Sequence, residues 1–430
     1  MNPLATVPLP YNALICRYNE IATKGKNRTH FEDLLVRGLR RQLEGIGKLR
    51  ITKERGRIFA RLRDEKARFT PEACQILRER VPRVMGAASV SPGFLVTPEM
   101  SAIEETVDTT FMNVYDAYVQ SRPKNTQIRY AMRARRNFKA FPLKSKEIEI
   151  HFAERFLHQC PQLTVDLNNP EMCVDVEVRH KRAFISYERI PGPGGLPTGS
   201  SGKLLALLSG GIDSPVACYQ MMKRGCQLNF ITFHSAPYTP PELLDKVGRL
   251  VTALNGFQQK GRLIAVNLLP AQKLIRELCQ DRLRTVLYRR LMMRIATHVA
   301  RMLGDQALAT GDNIGQVASQ TLENLSVISR ATDLLIMRPL LTFDKFETVA
   351  LANKIGTFDI SKHEVPDSCT VFAPQRPATA SILEDVEAEE AKLDADQILT
   401  LCLAETHQLE LPDLTPIPLT EPRKRSPRRA

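Results

Sequence analysis

A loop rich in serine and glycine follows an apolar run in the second half of the 430-residue chain. Over residues 209–214 it reads Ser-Gly-Gly-Ile-Asp-Ser, and Pro215 follows in the predicted first turn of a helix. The paired glycines Gly210 and Gly211 let the backbone approach a ligand closely, and the N–H groups of a helix start favour an anion. Hydroxyl and carboxylate groups at the same point come from Ser209, Asp213 and Ser214. The loop therefore predicts a phosphate-binding site.

Two other nucleotide motifs fail here. Residues 199–203 (Gly-Ser-Ser-Gly-Lys) are similar to the end of a Walker A motif, but they precede the strand, and Leu204 stands where Ser or Thr is needed. No Gly-x-Gly-x-x-Gly follows a strand, which excludes a dinucleotide-binding fold. A tight turn between strand and helix with an ordinary N-cap is the alternative interpretation of the serine- and glycine-rich loop.

The elements around the loop alternate between strand and helix. The predicted strands are 203–208, 227–233, 262–267 and 306–310. The predicted helices are 214–224, 241–255, 270–280 and 285–303. This order is typical of a parallel sheet wrapped by helices, so we predict an α/β catalytic domain over 203–410.

Two α+β units are predicted before a linker at 191–202, in which ten of twelve residues are Gly, Pro or Ser. The first unit, 1–78, has a βαβα pattern of the ferredoxin-like type. The second unit is 79–190. Their predicted elements lie at 13–18, 27–45, 57–62, 71–80, 101–121, 125–133, 144–158, 172–179 and 183–188. The last residues, 411–430, are rich in Pro and Arg and are predicted to be a disordered basic tail.

The charge is unevenly distributed along the chain. The net charge is +13, and residues 1–190 hold 33 Lys and Arg against 22 Asp and Glu, whereas residues 191–430 hold 27 against 25. A one-sided excess over 190 residues predicts a polyanionic partner such as RNA. A solvated face and an anionic membrane are the alternatives, and no basic amphipathic helix supports the membrane.

Composition also limits the cellular setting. No apolar run is long enough to span a bilayer, and the N-terminus has no signal-peptide pattern, so we expect no membrane association. Nine cysteines are scattered without a C-x-x-C pair, which argues against a disulfide framework or a zinc ribbon. We therefore expect a cytoplasmic protein without a bound structural metal.

The loop at 209–214 resembles the signature of the PP-loop, or N-type ATP pyrophosphatase, superfamily. Members bind ATP, release pyrophosphate and leave an adenylated intermediate. The resemblance implies a fold like that of the adenine nucleotide alpha hydrolases for the catalytic domain. It also implies ATP with Mg²⁺ as the substrate.

Four further stretches resemble the tRNA 4-thiouridine synthetase family, also called the tRNA sulfurtransferase or ThiI family. They are 17–32, 128–149, 311–325 and 367–372, the last of which reads Asp-Ser-Cys-Thr-Val-Phe. The resemblance, which runs in order over about 11–375, implies that 79–190 is a THUMP RNA-binding domain. It further implies ATP-dependent replacement of the 4-oxygen of a tRNA uridine, expected at position 8, by sulfur.

The resemblance also implies roles for single residues. Cys369 would carry a persulfide or release sulfur to the activated base, and Asp213 would be a second catalytic residue; a small buried side chain is the alternative for Cys369. The implied ATP-binding residues are Leu207, Leu208, Ser209, Gly210, Gly211, Ser214, Thr232, Phe233, Arg289, Gly311 and Gln320. Arg290 is the alternative to Arg289, and Lys345 is a weaker candidate for phosphate.

Seven cations are predicted to bind RNA. They are Lys24, Lys26, Arg28, Arg133, Arg135, Arg136 and Lys139. Because Tyr130, Phe138 and Phe141 lie among the later cations, we expect these rings to stack on unpaired bases of tRNA. A solvated face is the alternative.

The sequence departs from the family in two places. Ser368 stands where the family often has a first cysteine, so Cys369 alone is expected to act. Nothing after residue 375 has the C-R-x-G-x-R loop of a rhodanese domain, so we expect a cysteine desulfurase as the sulfur donor and doubt a role in thiamine synthesis. Cys226 could be a redox partner or a packing residue, and His363 and Asp367 could tune Cys369 or be solvated loop residues.

Two other functions stay open at this point. One is a PP-loop ligase or amidotransferase that adenylates a carboxylate or another RNA, and the other is a non-catalytic RNA-binding protein with a relic ATP site. The Cys369 segment and the two α+β units argue against the first. The intact loop argues against the second. A homodimer is included among the expected assemblies.

Overall fold

The computed structural model describes residues 3–5, 7–54 and 56–420. The chain separates into two compact units, Met1–Pro197 and Thr198–Ala430. The division falls inside the predicted linker at 191–202.

The described residues of the first unit form a sheet of nine strands with four α-helices. The strands are β1 (Ala13–Arg17), β2 (Leu49–Glu54), β3 (Arg57–Leu62), β4 (Ser89–Val96), β5 (Ile128–Arg136), β6 (Leu163–Val165), β7 (Met172–Arg179), β8 (Arg182–Ser186) and β9 (Ile190–Pro191). The helices are α1 (Arg28–Gln42), α2 (Pro71–Arg80), α3 (Met100–Gln120) and α4 (Ser145–Gln159). The strand order is β2-β3-β1-β4-β8-β7-β5-β6, and β9 pairs with β4.

Strand β4 joins the two predicted α+β parts, since it pairs with β1 on one side and β8 on the other. This strand was not predicted from the sequence, and it contains Pro92 and Gly93, two residue types that are rare inside strands. A Cβ at Gly93 would lie 2.2 Å from the Ile185 carbonyl oxygen. Glycine is therefore required by the close approach of β8, not by a turn.

The described residues of the second unit form a sheet of seven strands with nine α-helices. The strands are β10 (Lys203–Leu207), β11 (Gln227–His234), β12 (Leu263–Asn267), β13 (Ala307–Ala309), β14 (Leu335–Met337), β15 (Thr406–Glu410) and β16 (Thr415–Pro418). The helices are α5 (Asp213–Lys223), α6 (Glu242–Asn255), α7 (Leu269–Leu278), α8 (Arg284–Leu303), α9 (Leu322–Ser329), α10 (Lys345–Ile355), α11 (Phe358–Ser361), α12 (Leu383–Glu390) and α13 (Ala395–Ala404). The strand order is β14-β13-β10-β11-β12-β15-β16.

The first five strands in this order are parallel, which confirms the predicted parallel sheet. The chain adds β11 and β12 on one side of β10 and then returns to add β13 and β14 on the other. In parallel sheets a ligand binds beyond the carboxyl ends of the strands at such a reversal. The fold therefore places a crevice after β10 and β13, where the serine- and glycine-rich loop begins.

The second unit ends in an antiparallel hairpin, β15–β16, at the edge of the sheet. The predicted disordered tail at 411–430 is wrong for residues 411–420, while 421–430 lie outside the described residues. Leu414 lies over Gly248 of α6, where a Cβ would be 2.7 Å from its side chain. Packing of Leu414 and pairing with β15 thus order a segment whose composition alone predicts disorder.

Candidate active site

A cavity of about 520 Å³ opens beyond the carboxyl ends of β10, β11 and β13. Its wall contains Cys369, Asp213 and ten of the eleven predicted ATP-binding residues. Those ten are Leu207, Leu208, Ser209, Gly210, Ser214, Thr232, Phe233, Arg289, Gly311 and Gln320. Gly211 is the predicted residue that does not line the cavity. The structure therefore brings residues separated by more than 160 positions to one site.

The serine- and glycine-rich loop is held by the hydroxyl groups of its two serines. The Ser214 hydroxyl accepts from the Ser209 N–H at 3.0 Å and donates to the Ser209 carbonyl at 3.2 Å, and the Ser209 hydroxyl accepts from the Gly211 N–H at 3.3 Å. Because Ser214 is buried, these bonds fix the loop at the N-terminus of α5. Ser214 thus shapes the loop, and the N-terminus of α5 faces the cavity with partial positive charge.

Gly311 is required by the packing of two loops. A Cβ on Gly311 would lie 2.7 Å from the Ser214 N atom and 2.8 Å from its Cα. Real Cβ atoms do not approach backbone so closely, so any other residue would push the loop after β13 away from α5. Gly311 therefore brings Asp312 next to the phosphate loop.

The Asp213 carboxylate points to two donors from later loops. It accepts from Lys345 Nζ at 3.0 and 3.2 Å and from Gln316 Nε2 at 3.1 Å. Lys345 begins α10, and its side chain is half-exposed. The pair places one ammonium beside the N-terminus of α5, where a triphosphate would meet it.

Asp312 is a buried carboxylate that the sequence analysis missed. Arg289 and Arg338 donate to its two oxygens, the latter at 3.1 Å, and the Thr310 hydroxyl donates at 2.7 Å. Burial alone would raise the pKa of Asp312, but the charge of Arg289, the bonds from Thr310 and Arg289 and the charge of Arg338 lower it below its usual value. The cluster therefore has one negative and two positive charges, a net +1 at the cavity. Asp312 directly follows Gly311, and that position is the sequence feature from which it could have been predicted as a site residue.

The structure separates the two arginine candidates on α8. Arg289 lines the cavity, whereas Arg290 is 1% exposed. Arg290 donates twice to the Glu390 carboxylate at 2.8 Å and once to the Val327 carbonyl at 2.6 Å. Arg290 is thus committed to holding α12 and α9, and Arg289 is the arginine that can meet a ligand.

Cys369 lies in the same wall as the phosphate loop. The Asp367 carboxylate accepts from the N–H groups of Cys369 at 3.0 Å and Thr370 at 3.1 Å, which closes a tight turn around the cysteine. Burial and the charge of Asp367 raise the pKa of the Cys369 thiol to about 12. The sulfur is therefore a neutral thiol at pH 7 when the cavity holds no ligand. Asp367 positions the Cys369 turn, and the His363 side chain is exposed.

Ser368 is buried in a hydrogen-bonded network that anchors the Cys369 turn. Its hydroxyl lies 2.6 Å from the Ser235 hydroxyl, which donates to the side-chain oxygen Oε1 of Gln272 at 2.5 Å. The Gln272 amide in turn donates to the Ser368 carbonyl at 2.7 Å. Ser235 follows β11 and Gln272 lies on α7, so the network ties Cys369 to the sheet. A side chain at position 368 faces away from solvent and contacts this network.

Lys246 on α6 is a second residue that the sequence analysis missed. It is 8% exposed, it donates to the His363 carbonyl, and a Cβ at Gly210 would lie 3.4 Å from its Nζ. Burial lowers the pKa of the Lys246 ammonium, while the charges of Asp367 and Glu364 oppose that shift. The ammonium therefore connects the phosphate loop with the loop that leads to Cys369. Lys246 lies among apolar residues of a helix, so nothing in the neighbouring sequence indicates that it is part of the site.

Cys226 lies away from the cavity. It is buried, and its Sγ is 3.7 Å from the Ser201 carbonyl oxygen. Burial raises the pKa of its thiol. In the described part of the second unit, Cys369 is the cysteine that lines the cavity.

The seven predicted RNA-binding cations divide into several settings within the first unit. Lys26, Arg135 and Lys139 are exposed. Arg28, Arg133 and Arg136 instead donate to backbone carbonyls of Ala22, Leu167 and Lys139, each at 2.9 Å. The Lys24 ammonium lies 5.1 Å from the centroid of the Phe31 ring. The three arginines thus stabilise loops besides carrying charge.

Arg135 lines a pocket of about 420 Å³ with three other arginines, Arg17, Arg57 and Arg189. Arg57 pairs with Glu177 and Arg189 with Asp175. Arg17 is buried on β1 directly opposite Arg57 on β3, and its described hydrogen bond goes to the Ser91 hydroxyl at 2.7 Å. Burial and then the charge of Arg189 lower the pKa of Arg17 to about 10. The four arginines exceed the two carboxylates, so the pocket favours an anion.

The expected stacking of Tyr130 and Phe141 on RNA bases is wrong. These side chains are only 1% and 2% exposed, and Tyr130 contacts Phe111 edge-on in the core of the first unit. Phe138 is half-buried against His180. Tyr130 is buried because it lies on the buried face of β5, whereas Phe138 and Phe141 follow that strand.

Family models match three parts of the chain. The model described as "Thiamine biosynthesis protein (ThiI)" matches residues 199–395, the "ThiI ferredoxin-like domain" matches 13–91, and the "THUMP domain" matches 103–188. No helix in the described residues is long and apolar enough to cross a membrane.

Similar proteins match nearly the whole chain. A probable tRNA sulfurtransferase of Moorella thermoacetica is 38% identical over 91% of this chain and 96% of its own length, and one of Alkaliphilus oremlandii is 38% identical with the same coverage. A crystal structure of a 4-thiouridine synthetase in complex with RNA and bound ATP is 33% identical, with a TM-score of 0.79 over 93% of this chain and 100% of the other. The chain therefore belongs to the tRNA sulfurtransferase, or ThiI, family.

Proposed function

We propose that the protein adenylates a uridine of tRNA with ATP and replaces its 4-oxygen with sulfur carried by Cys369. Family membership makes it an enzyme of ATP-dependent sulfur transfer to tRNA. The observation that supports the finer mechanism is that Cys369 and the phosphate loop line one cavity of about 520 Å³. The base, the adenylate and the sulfur could then meet without moving the intermediate.

In the first step the uridine 4-oxygen attacks the α-phosphate of ATP, and pyrophosphate leaves. The N-terminus of α5 and the side chains of Arg289, Arg338 and Lys345 supply positive charge for the departing pyrophosphate. Mg²⁺ accompanies ATP in this proposal, and the Asp213 carboxylate can bind it in exchange for Lys345. Backbone groups of Thr232 and Phe233 at the end of β11 are assigned to the adenine.

In the second step the terminal sulfur of a Cys369 persulfide attacks C4 of the adenylated uridine. A C4–S bond forms while the C4–O bond to AMP breaks. A second thiol then cleaves the S–S bond, which releases 4-thiouridine and leaves the thiol joined to Cys369 as a disulfide that a thiol reductant opens. The pKa of the Cys369 thiol is raised to about 12, so the thiol gives up its proton as it attacks the outer sulfur of the donor's persulfide, and the donor thiol that leaves takes up that proton.

The sulfur source and the setting are also proposals. We assign loading of Cys369 to a cysteine desulfurase, expect uridine 8 of tRNA as the target, and place the reaction in the cytoplasm. The exposed cations Lys26, Arg135 and Lys139 and the four-arginine pocket are assigned to the phosphates of tRNA. A homodimer remains a proposal that sedimentation would check.

Complementation of cells that lack the protein tests this function. We expect 4-thiouridine, measured by nucleoside mass spectrometry, to return with the wild type and to be absent with Cys369→Ser. Cys173→Ser is the matched control, because Cys173 is also half-buried but lies in the first unit. If the wild type restores no 4-thiouridine while the purified protein still converts ATP to AMP, the PP-loop ligase reading replaces this one.

A further inference from the structure

Two aromatic side chains lie next to the Cys369 turn but outside the described wall of the cavity. The rings of Tyr238 and Phe372 are 5.1 Å apart between centroids and inclined by 64°. Tyr238 is 55% exposed, which is unusual for a ring that contacts another ring, and Phe372 is half-buried. The pair therefore presents an aromatic face to solvent near the Cys369 turn.

The segment that carries Tyr238 is linked to the segment that carries Cys369 and Phe372. Tyr238 comes three residues after Ser235, and its N–H donates to the Ser235 carbonyl at 2.8 Å. Phe372 comes three residues after Cys369. The 2.6 Å contact between the Ser235 and Ser368 hydroxyls joins the two segments. The segments that carry the two rings and the sulfur are thus joined by hydrogen bonds.

Two features at Phe372 are unusual for a loop that only connects elements. Its φ angle is +57°, a left-handed conformation that bulky residues rarely adopt. The Arg276 guanidinium lies 4.5 Å from the centroid of its ring. The backbone thus directs a ring and a cation together, the combination with which proteins bind a base and its phosphate.

We propose that Tyr238 and Phe372 receive the target uridine of tRNA and hold it by stacking, while Arg276 binds a neighbouring phosphate. This inference rests on the proposed function, since chemistry at C4 requires the base to leave its stack in the RNA. Rings that bound the adenine of ATP would be expected in the wall of the cavity, and these are not in it. The aromatic pair is therefore a substrate site and not part of the ATP site.

The test is a binding cycle with the full chain and two tRNAs, one intact and one abasic at position 8. Wild type is expected to bind the abasic tRNA roughly tenfold more weakly than intact tRNA, because one base stack is lost. Tyr238→Ala is expected to bind both tRNAs alike, and Tyr238→Phe is expected to behave as wild type, because the ring and not the hydroxyl makes the contact. Phe372→Leu, which keeps bulk but removes the ring, is expected to reduce the same discrimination.

Each outcome decides the inference. If Tyr238→Ala lowers the affinity for both tRNAs by the same factor and so keeps the preference for intact tRNA, the ring has only a structural role. If Tyr238→Ala instead raises KM for ATP, the ring belongs to the nucleotide site. Either result overturns the proposal. Binding is measured without catalysis, so the cycle remains readable if wild type forms no 4-thiouridine, a result that would contradict the proposed function instead. A wild type that does not discriminate the abasic tRNA also overturns the aromatic site.

Discussion

The two units of the chain use charge in different ways. In the second unit, charged groups beside the cavity are paired with one another, as in the Asp312 cluster, where two arginines hold one carboxylate. In the first unit, the exposed cations Lys26, Arg135 and Lys139 have no carboxylate partner among the described residues, although other cations there, such as Arg57 and Arg189, are paired. A polyanion such as RNA can bind to a surface with an excess of cations. A small substrate requires that each charged group is held in a fixed position. The comparison predicts that substitutions in one unit leave the other unit's binding intact.

The largest expected effect is at Cys369. Cys369→Ser is expected to lower the rate of 4-thiouridine formation by about 10⁴-fold or more, because serine cannot carry sulfane sulfur. Binding of tRNA, measured by filter retention, and conversion of ATP to AMP in the presence of tRNA are expected to persist. Loss of tRNA binding in this variant would break the separation between the units.

The next effect concerns the pH dependence of the two half-buried cysteines. The pKa of Cys369 is raised to about 12, so its thiolate fraction, and with it the rate of alkylation by iodoacetamide, is expected to increase about 100-fold between pH 7 and pH 9. Cys173 in the first unit, whose pKa burial also raises to about 12, is expected to show the same slope. ATP is expected to protect Cys369 and not Cys173, as read by mass spectrometry of the two peptides. A rate at Cys369 that levels off below pH 8 would contradict the raised pKa.

Arg289 tests the cavity alone. Arg289→Met leaves Asp312 with Arg338 and removes a cation from the ATP site, so we expect KM for ATP to rise by roughly tenfold to a hundredfold. Arg294→Met is the control, because Arg294 lies on the same helix but is half-exposed and pairs with Glu390. Equal effects of the two variants on KM would show that helix α8, and not the Arg289 charge, was disturbed.

The smallest expected effect is at Arg135. Arg135→Ala is expected to weaken tRNA binding a few-fold and to reduce the slope of log affinity against log salt by about 0.9, as expected for one lost phosphate contact. KM for ATP is expected to stay unchanged. Arg40→Ala removes the same charge from an exposed site on α1 and is expected to leave the salt slope unchanged. If both variants change the slope equally, RNA senses only the net charge of the first unit.

Local sequence predicted the second unit well because its site consists of short loops after strands. The strand before Ser209 and the helix after it are visible in the neighbouring residues, whereas Gly311 was implied by the family resemblance, and the structure places Ser209 and Gly311 in the wall of one cavity. Asp312, Arg338 and Lys246 escaped prediction because their importance comes from partners far along the chain. Nothing adjacent to Lys246 shows that it contacts the loop before Cys369.

The first unit was less predictable for the same reason. Strand β4 was not predicted, and its proline and glycine are also common in turns. Glycine is needed there because Phe184 and Ile185, about ninety residues later, pack too closely for a side chain. Tyr130 and Phe141 were assigned to RNA because they lie among cations in the sequence, yet Tyr130 lies on the buried face of β5 and Phe141 is buried in the loop after it. The excess of cations indicated the kind of partner, but the sequence did not show which side chains lie in the core and which lie on the surface.

Under the proposed function, the buried Ser368 would affect how long sulfur stays on Cys369. A vicinal cysteine could attack a persulfide on Cys369 and discharge it as a ring disulfide, whereas the Ser368 hydroxyl, held by the Ser235 hydroxyl, is neither a sulfur acceptor nor oxidisable. Under the proposed function, the lifetime of the loaded enzyme is then set by the entry of outside thiols into the cavity. A molecule that fills the cavity, ATP included, would keep outside thiols from the Cys369 persulfide until tRNA binds.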